Sequence, residues 1–279
     1  PMFSQYMLNN TIINPAQAGA NQQNQFGILS RFQWLGFQDA PRTQSAYANL
    51  ILPKNLGLAA GVYFDKLGPE INHQFQADLA YHARLSESWR LSVGLRTIFS
   101  MVRIGLTDIP NTDPGDPLLQ EDMKSGLLLN LGAGLLAYNE NIFIGASMPR
   151  LFHEFAEILV SQIGNHSDDQ QILEKMRRQF VFYGGINTNL THEISFQPSL
   201  LFRTGLGIAS QADINAVFNY NEILDFGPVF RTNFISKNKY LESVGFIIGL
   251  RFLQALYFGY AYEYPVNHIN IISIQSHEV

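Results

Sequence analysis

His73 and His82 share a stretch in which polar and apolar residues alternate, and His153, His166 and His192 are scattered farther along. Imidazoles hold a metal when they converge. An odd separation within an extended strand turns His73 and His82 to opposite faces, and no His-x-His pair occurs. Asp108, Asp113 and Asp116 enclose Asn111, Pro114 and Gly115, a set of oxygens suited to a hard cation. Their spacing departs from an EF-hand loop, and these residue types are the ordinary formers of turns. Gly132 and Gly134, or Gly205 and Gly207, resemble a phosphate cradle but lack the following Lys-Ser/Thr pair and helix; they read as strand glycines. With no cysteine, thiolate chemistry is excluded. The reading is of a non-enzyme with no catalytic residues, no metal and no cofactor.

Charged residues inside alternating segments carry a different message. If Phe26, Ile28, Phe32 and Trp34 face lipid, Arg31 and Gln33 face the other way. The same phase sends Asp78, Arg84, Arg90, Arg96, Asn130, Asn187, Gln197, Arg203, Asp213 and Asn215 inward. A cation facing lipid at mid-depth costs about 2 to 4 kcal/mol, which decides the face. Arg31, Gln33, Asp78, Arg84 and Arg96 are therefore candidate residues of a polar lumen.

Composition supports such a wall. Hydrophobic residues make up 46% and charged residues 15%, where soluble domains carry about a quarter charged. No uninterrupted run of 18 apolar residues offers a membrane helix. The net charge of −5 gives no basic footprint for nucleic acid. No basic and apolar leader opens the chain, so a signal peptide is read as already absent.

The alternation defines thirteen strands: 25–34, 43–52, 56–64, 71–85, 89–101, 126–138, 142–148, 178–190, 193–202, 208–219, 223–232, 240–252 and 255–264. Strands of soluble proteins run about five or six residues, whereas a tilted strand crossing a bilayer needs roughly nine to eleven. Short breaks at 53–55, 86–88, 139–141, 191–192, 220–222 and 253–254 take turns with longer connections. Outer-membrane barrels have short periplasmic turns and longer outer loops. An antiparallel barrel with both ends on one side needs an even strand count. The expected fold is all-β, a transmembrane antiparallel barrel of 14 strands over 25–279. Its last strand is expected to be missing or truncated, since 275–279 can at most begin it; an open edge in lipid is costly.

Several details follow. Trp34, Tyr63, Tyr81, Trp89, Tyr138, Tyr183, Tyr220, Tyr240 and Tyr264 near strand ends fit interfacial girdles. Pro198 and Pro228 fall inside strands and predict bulges or broken pairing. In the loop 149–177, Leu151, Phe155, Ile158, Leu159 and Ile163 recur at helical spacing. This predicts a helical outer cap with Phe152, Phe155, Ile158 and Leu159 as candidate partner-binding residues.

Residues 1–24 do not alternate. Their amides and scattered apolar residues suit packing inside the lumen, making Phe3, Ser4, Gln5, Tyr6, Met7, Asn14, Pro15, Ala16 and Gly19 candidate plug residues. Phe3 to Met7, Asn9, Ile13 to Ala16, Ala18 and Gly19, followed by Gln33, Trp34, Gly36, Phe37, Ala40, Pro41 and Thr43, also form a motif. So do 65–69, Tyr81 with Leu85 and Ser86, and Ser276, His277 and Glu278. On these residues the chain resembles the PorP/SprF family of the Bacteroidota type IX secretion system, although Leu8, Gln17, Gln38 and Asp39 depart from its usual pattern. The resemblance implies an outer-membrane barrel serving protein secretion or gliding motility. It also implies a partner: a secreted adhesin's C-terminal domain, or a periplasmic lipoprotein or ring component of the secretion machinery. A channel for hydrophobic small molecules, similar to the fatty-acid channels, is the alternative.

Overall fold

The computed structural model describes residues 4–35, 39–107, 121–152, 155–156, 174–175, 179–205, 208–235, 238–253, 255–266 and 275–279. One antiparallel sheet closes on itself. Its staves are β1 (Gln25–Phe32), β2 (Arg42–Leu52), β3 (Leu56–Leu67), β4 (Glu70–Arg84), β5 (Arg90–Ile104), β6 (Leu128–Tyr138), β7 (Ile142–Met148), β8 (Gln179–Ile186), β9 (Ile194–Gly205), β10 (Ile208–Tyr220), β11 (Leu224–Ile235), β12 (Asn238–Phe252), β13 (Leu256–Pro265) and β14 (Ser276–Glu278). Two short pieces extend staves: Met123–Lys124 pairs with β5, and Thr188–Asn189 pairs with β9. Setting these two aside, the sixteen strands of the sheet make a fourteen-stave barrel.

The fourteenth strand is present in truncated form, as expected: Ser276–Glu278 pairs with β13 through three positions and with β1 through Arg31↔Glu278 and Phe32↔His277. Three connections predicted to be longer are tight. The β3–β4 ladder runs on to Leu67↔Glu70 and turns at Gly68, whose φ of +59° suits glycine. β9 and β10 are paired out to Gly205↔Ile208, and β11 and β12 out to Ile235↔Asn238. On the opposite rim, Lys54–Asn55 and Asn221–Glu222 take consecutive positive φ values, the two-residue turn that matches strand twist.

Neither proline makes a bulge; both interrupt pairing. The β8–β9 ladder stops at Gly185↔Ser199 and resumes at Thr188↔Phe196, skipping the position of Pro198. Likewise β10–β11 stops at Asn215↔Val229 and resumes at Phe218↔Phe226, skipping Pro228. Each proline stays in register with its other neighbour, at Pro198↔Ala216 and Pro228↔Phe246. The bulges fall instead between Arg203 and Gly205 and between Arg231 and Thr232.

Alternation is inverted relative to a soluble protein. Phe26 and Ile28 are 75% and 77% exposed, while Asp78, Asn130 and Asn215 are buried. Contiguous exposed apolar surface of this extent requires an apolar solvent, and the closed ring leaves the sheet without an edge, as lipid demands. No helix among the described residues is long and apolar enough to cross a membrane; the strands perform that task.

The helical cap is corrected where it is described. Phe155–Ala156 pairs with Glu174–Lys175 as a two-stranded antiparallel ribbon, so Phe155 lies in extended backbone. Ile158 and Leu159 lie outside the described residues, as do Phe3, His153, His166, Asp108, Asp113 and Asp116.

Candidate functional site, the filled lumen

Residues 4–20 lie inside the barrel. The segment is built of polar turns: a 3-10 turn at Asn10–Ile12 and another at Pro15–Gln17. Asn14 caps the second, its Oδ1 accepting from Ala16 N at 2.9 Å, and Pro15 at the first position has no N–H to leave unsatisfied. Short turns strand many backbone groups, and buried ones need partners. The wall supplies them.

Near the short-turn rim, Gly19 N donates to Asn49 Oδ1 (2.7 Å), His82 Nε2 bonds Ala18 O (2.7 Å), and Ser92 Oγ donates to Ala16 O (2.7 Å). Midway, Asn14 Nδ2 donates to Leu135 O (2.8 Å) and Tyr183 OH (3.2 Å), and Ser147 Oγ donates to Ile13 O (2.5 Å). Arg96 donates to the carbonyls of Ile12 (3.0 Å) and Thr11 while its Nε meets Asp78 at 2.7 Å. Farther up, Tyr47 OH donates to Leu8 O (2.9 Å) and Tyr6 OH pairs with Ser199 Oγ (3.0 Å). At the end of the path, Ser4 N and Gln5 N donate to the Glu278 carboxylate at 2.7 and 2.8 Å.

Four wall glycines make room for this path. A Cβ on Gly57, Gly94, Gly134 or Gly259 would collide with the Ala18 carbonyl, the Ala16 backbone, the Asn14 side chain or the Gln5 side chain respectively. Gly134, weighed above as part of a phosphate cradle, is thus a contact point for the segment.

A chain of buried charges continues from Glu278. Arg31 bridges Glu278 (3.0 Å) and Glu263 (2.7 Å), and the Ser4 hydroxyl bonds both Arg31 and Glu263. Glu263 meets Arg231 (3.1 Å), which meets Asp213 (2.8 Å), which meets Arg203 (3.1 Å). Buried charges persist when paired and hydrogen-bonded, and here they join β14, β1, β13, β11, β10 and β9 across the lumen.

Of the predicted lumen residues, Arg31, Asp78, Arg96, Asn130, Arg203, Asp213 and Asn215 are buried within. Gln33 lies past β1 and is half-buried, its N–H donating to Pro41 O at 3.0 Å. Arg84 has the inward phase but sits exposed at the short-turn end of β4, donating to Ser86 O at 3.1 Å. Phe152 is 54% exposed, and its backbone exchanges hydrogen bonds with the Asn130 side chain.

The girdle assignment is wrong for three tyrosines. Tyr63, Tyr138 and Tyr183 are buried inside, and Tyr183 OH also accepts from Gln17 Nε2 at 2.7 Å. Tyr138 OH bonds His82 Nδ1 at 3.0 Å, so His82 links β6 to the segment. The phase that sends Asn130 inward sends Tyr138 inward as well, and Asn187 does the same for Tyr183. Glu263 and Arg231 are further residues that the sequence reading did not single out, and Glu278 entered it only through the terminal motif. Glu263 and Arg231 lie within predicted strands, where the cost of a lipid-facing charge would have placed them.

A cavity of about 300 Å³ remains in the lumen on the long-connection side, lined by Tyr6, Ile12, Gln76, Arg96 and Arg203 among others. No cluster of metal-ligating side chains occurs among the described residues.

No curated protein matches the sequence. Among solved structures, two engineered mutants of the Rh. blastica porin align over 92% of this chain and 98% of theirs, with 8% and 7% identity and TM-scores of 0.36 and 0.37. A triple mutant of the Rhodopseudomonas blastica porin aligns with the same coverage at 8% identity and a TM-score of 0.35. The sequence also matches, over residues 1–279, the family described as type IX secretion system membrane protein PorP/SprF. The chain belongs to the PorP/SprF family of type IX secretion system membrane proteins.

Proposed function

We propose that this barrel is a non-enzymatic docking platform of the outer membrane for type IX secretion or gliding. The carrying observation is the segment 4–20, bonded to strands around the whole lumen from Asn49 to Glu278. A barrel cross-braced in this way is a stiff frame whose rims remain for contact. The rim of longer connections, including 149–177, receives the C-terminal domain of a secreted adhesin. The rim of short turns meets the periplasmic lipoproteins or ring of the secretion machinery. A polar wall lined by Asp78, Arg96, Asn130 and Asp213 gives a hydrophobic solute no path, which disfavours the fatty-acid channel.

Lysine crosslinking and mass spectrometry of the protein in native outer membranes tests this. Lys54 marks the short-turn rim, and Lys66 and Lys124 mark the other. Links from Lys66 or Lys124 to the end of a large secreted protein support the adhesin role. Links from Lys54 to periplasmic lipoproteins support the machinery role. Neither pattern, in a folded and abundant barrel, sinks the proposal.

A further inference from the structure

Among the strand residues whose side chains are described, every lysine or arginine on the outward face falls in one row. Arg42 on β2 is the partner of Lys66 on β3, and Lys66 of Ile71 on β4. Ile71 is the partner of Arg103 on β5, and Arg103 of Lys124 ahead of β6. Cross-strand partners share a face, and this one is outward, since Val62, Phe75 and Met101 have the same phase and are exposed. Neighbouring strands stand about 4.8 Å apart, so the row arcs over roughly 19 Å of wall. The remaining described strand arginines, from Arg31 to Arg251, have the inward phase.

A cation on the outer wall is tolerated where the bilayer turns polar, so the row marks headgroup depth on the long-connection side. Lys66 meets Asp39 at 3.1 Å and Arg103 meets Asp122 at 2.5 Å, yet their side chains stay 35% and 50% exposed. The acids fix the cations at this height without covering them. The Arg42 guanidinium lies 6.0 Å from the Phe32 ring centroid, a cation–π contact. Two residues along the same strands, about 7 Å toward the membrane centre, the wall is indented. An open trench of about 620 Å³ is lined by Ala46, Val62, Phe64, His73, Phe75 and Met101 among others.

We infer that this sector of the wall binds a phosphorylated membrane lipid. Its phosphate oxygens sit on Arg42, Lys66, Arg103 and Lys124, and one acyl chain lies in the trench. The inference rests on the barrel spanning a membrane. Charge complementarity to phosphate, with an apolar groove one step deeper, fits a lipid better than an acidic protein segment, which would need no groove at acyl depth.

Native mass spectrometry of the full chain in detergent tests it, using three probes: a phosphorylated multi-acyl glycolipid, the same glycolipid dephosphorylated, and inorganic phosphate. The phosphorylated lipid should be retained at least about tenfold more than its dephosphorylated analogue, as expected for several cations near a headgroup. The variant R42Q/K66Q/R103Q/K124Q should lose that preference, and Ala46→Trp, which fills the trench, should weaken retention. Equal retention of both lipids by the wild type overturns the inference, and this comparison stands even where the quadruple variant does not fold. Phosphate retained as well as the lipid would mean a free-anion site and also overturns it. A folded barrel that shows no lipid preference yet still crosslinks to its secretion partners would sink this inference alone.

Discussion

Arg31 on β1 and Glu278 on β14 are partners across the line where the barrel closes, and their side chains meet at 3.0 Å. Glu278 is 1% exposed and also takes the Ser4 and Gln5 N–H groups. Removing one partner of a buried pair costs about 3–5 kcal/mol, since the other charge is left uncompensated. Arg31→Met should lower the unfolding free energy in micelles by about that amount. Combining it with Glu278→Gln should recover part of the loss. A neutral single substitution in urea titration would refute the seam's dependence on this pair.

Gly94→Val should unseat the segment while leaving the barrel wall intact. Its Cβ would occupy the place of the Ala16 backbone, and backbone cannot swing aside as a flexible side chain does. Limited proteolysis should then cut within residues 4–20, which the wild type protects. Gly126→Ala, whose Cβ meets nothing within 4 Å, is the control.

Asp122 sets a pH limit on one loop. Hydrogen bonds from Arg103 and Thr107 hold its carboxyl down to about 2. The folded value lies below the unfolded one, so the clamp contributes fully above the ordinary carboxylate range and is lost as pH falls through about 2. Carboxyl carbon shifts followed by NMR should show that midpoint, and Arg103→Gln should raise it. A midpoint already in the ordinary range would show that the clamp does not form.

The two proline gaps should be visible in hydrogen exchange. The amides of Ile186 and Ala216 face interrupted stretches of ladder, whereas Asn187 N is held by Asn141 O at 2.6 Å, so those two should exchange faster than neighbouring paired residues. Gly227→Ala should widen the second gap, because its Cβ would collide with the Ala216 carbonyl. Uniform protection along β10 would contradict this account.

The staves were legible because their period of two is set by a wet face and an apolar face, and any fold that hides charge from lipid must write it into the sequence. Arg31, Asp78 and Arg96 could be placed on that ground alone. Tyr63, Tyr138 and Tyr183 could not be placed by type: a tyrosine suits a membrane interface and a polar lumen equally, and only strand phase separates the two. The path of the segment was unreadable for a different reason. Its bonds run from backbone amides to residues such as Asn49, Ser92 and Ser147, and backbone groups are the same in every sequence. The tight β3–β4 hairpin was mistaken for a longer loop because Asp65, Lys66 and Glu70 are polar, and polarity beyond the apolar band does not end pairing.

Ser4 and Glu278, 274 positions apart, share a hydrogen bond. Contacts of such separation carry the full entropic cost of loop closure and form late. Glu278 also belongs to the strand that seals the ring, so zippering the seam and seating the segment draw on one carboxylate. The seam and the filling are therefore coupled through one acceptor: a barrel whose segment is displaced leaves the Glu278 carboxylate without its Ser4 and Gln5 donors, and the closing stave keeps its contacts with the wall, Arg31 among them.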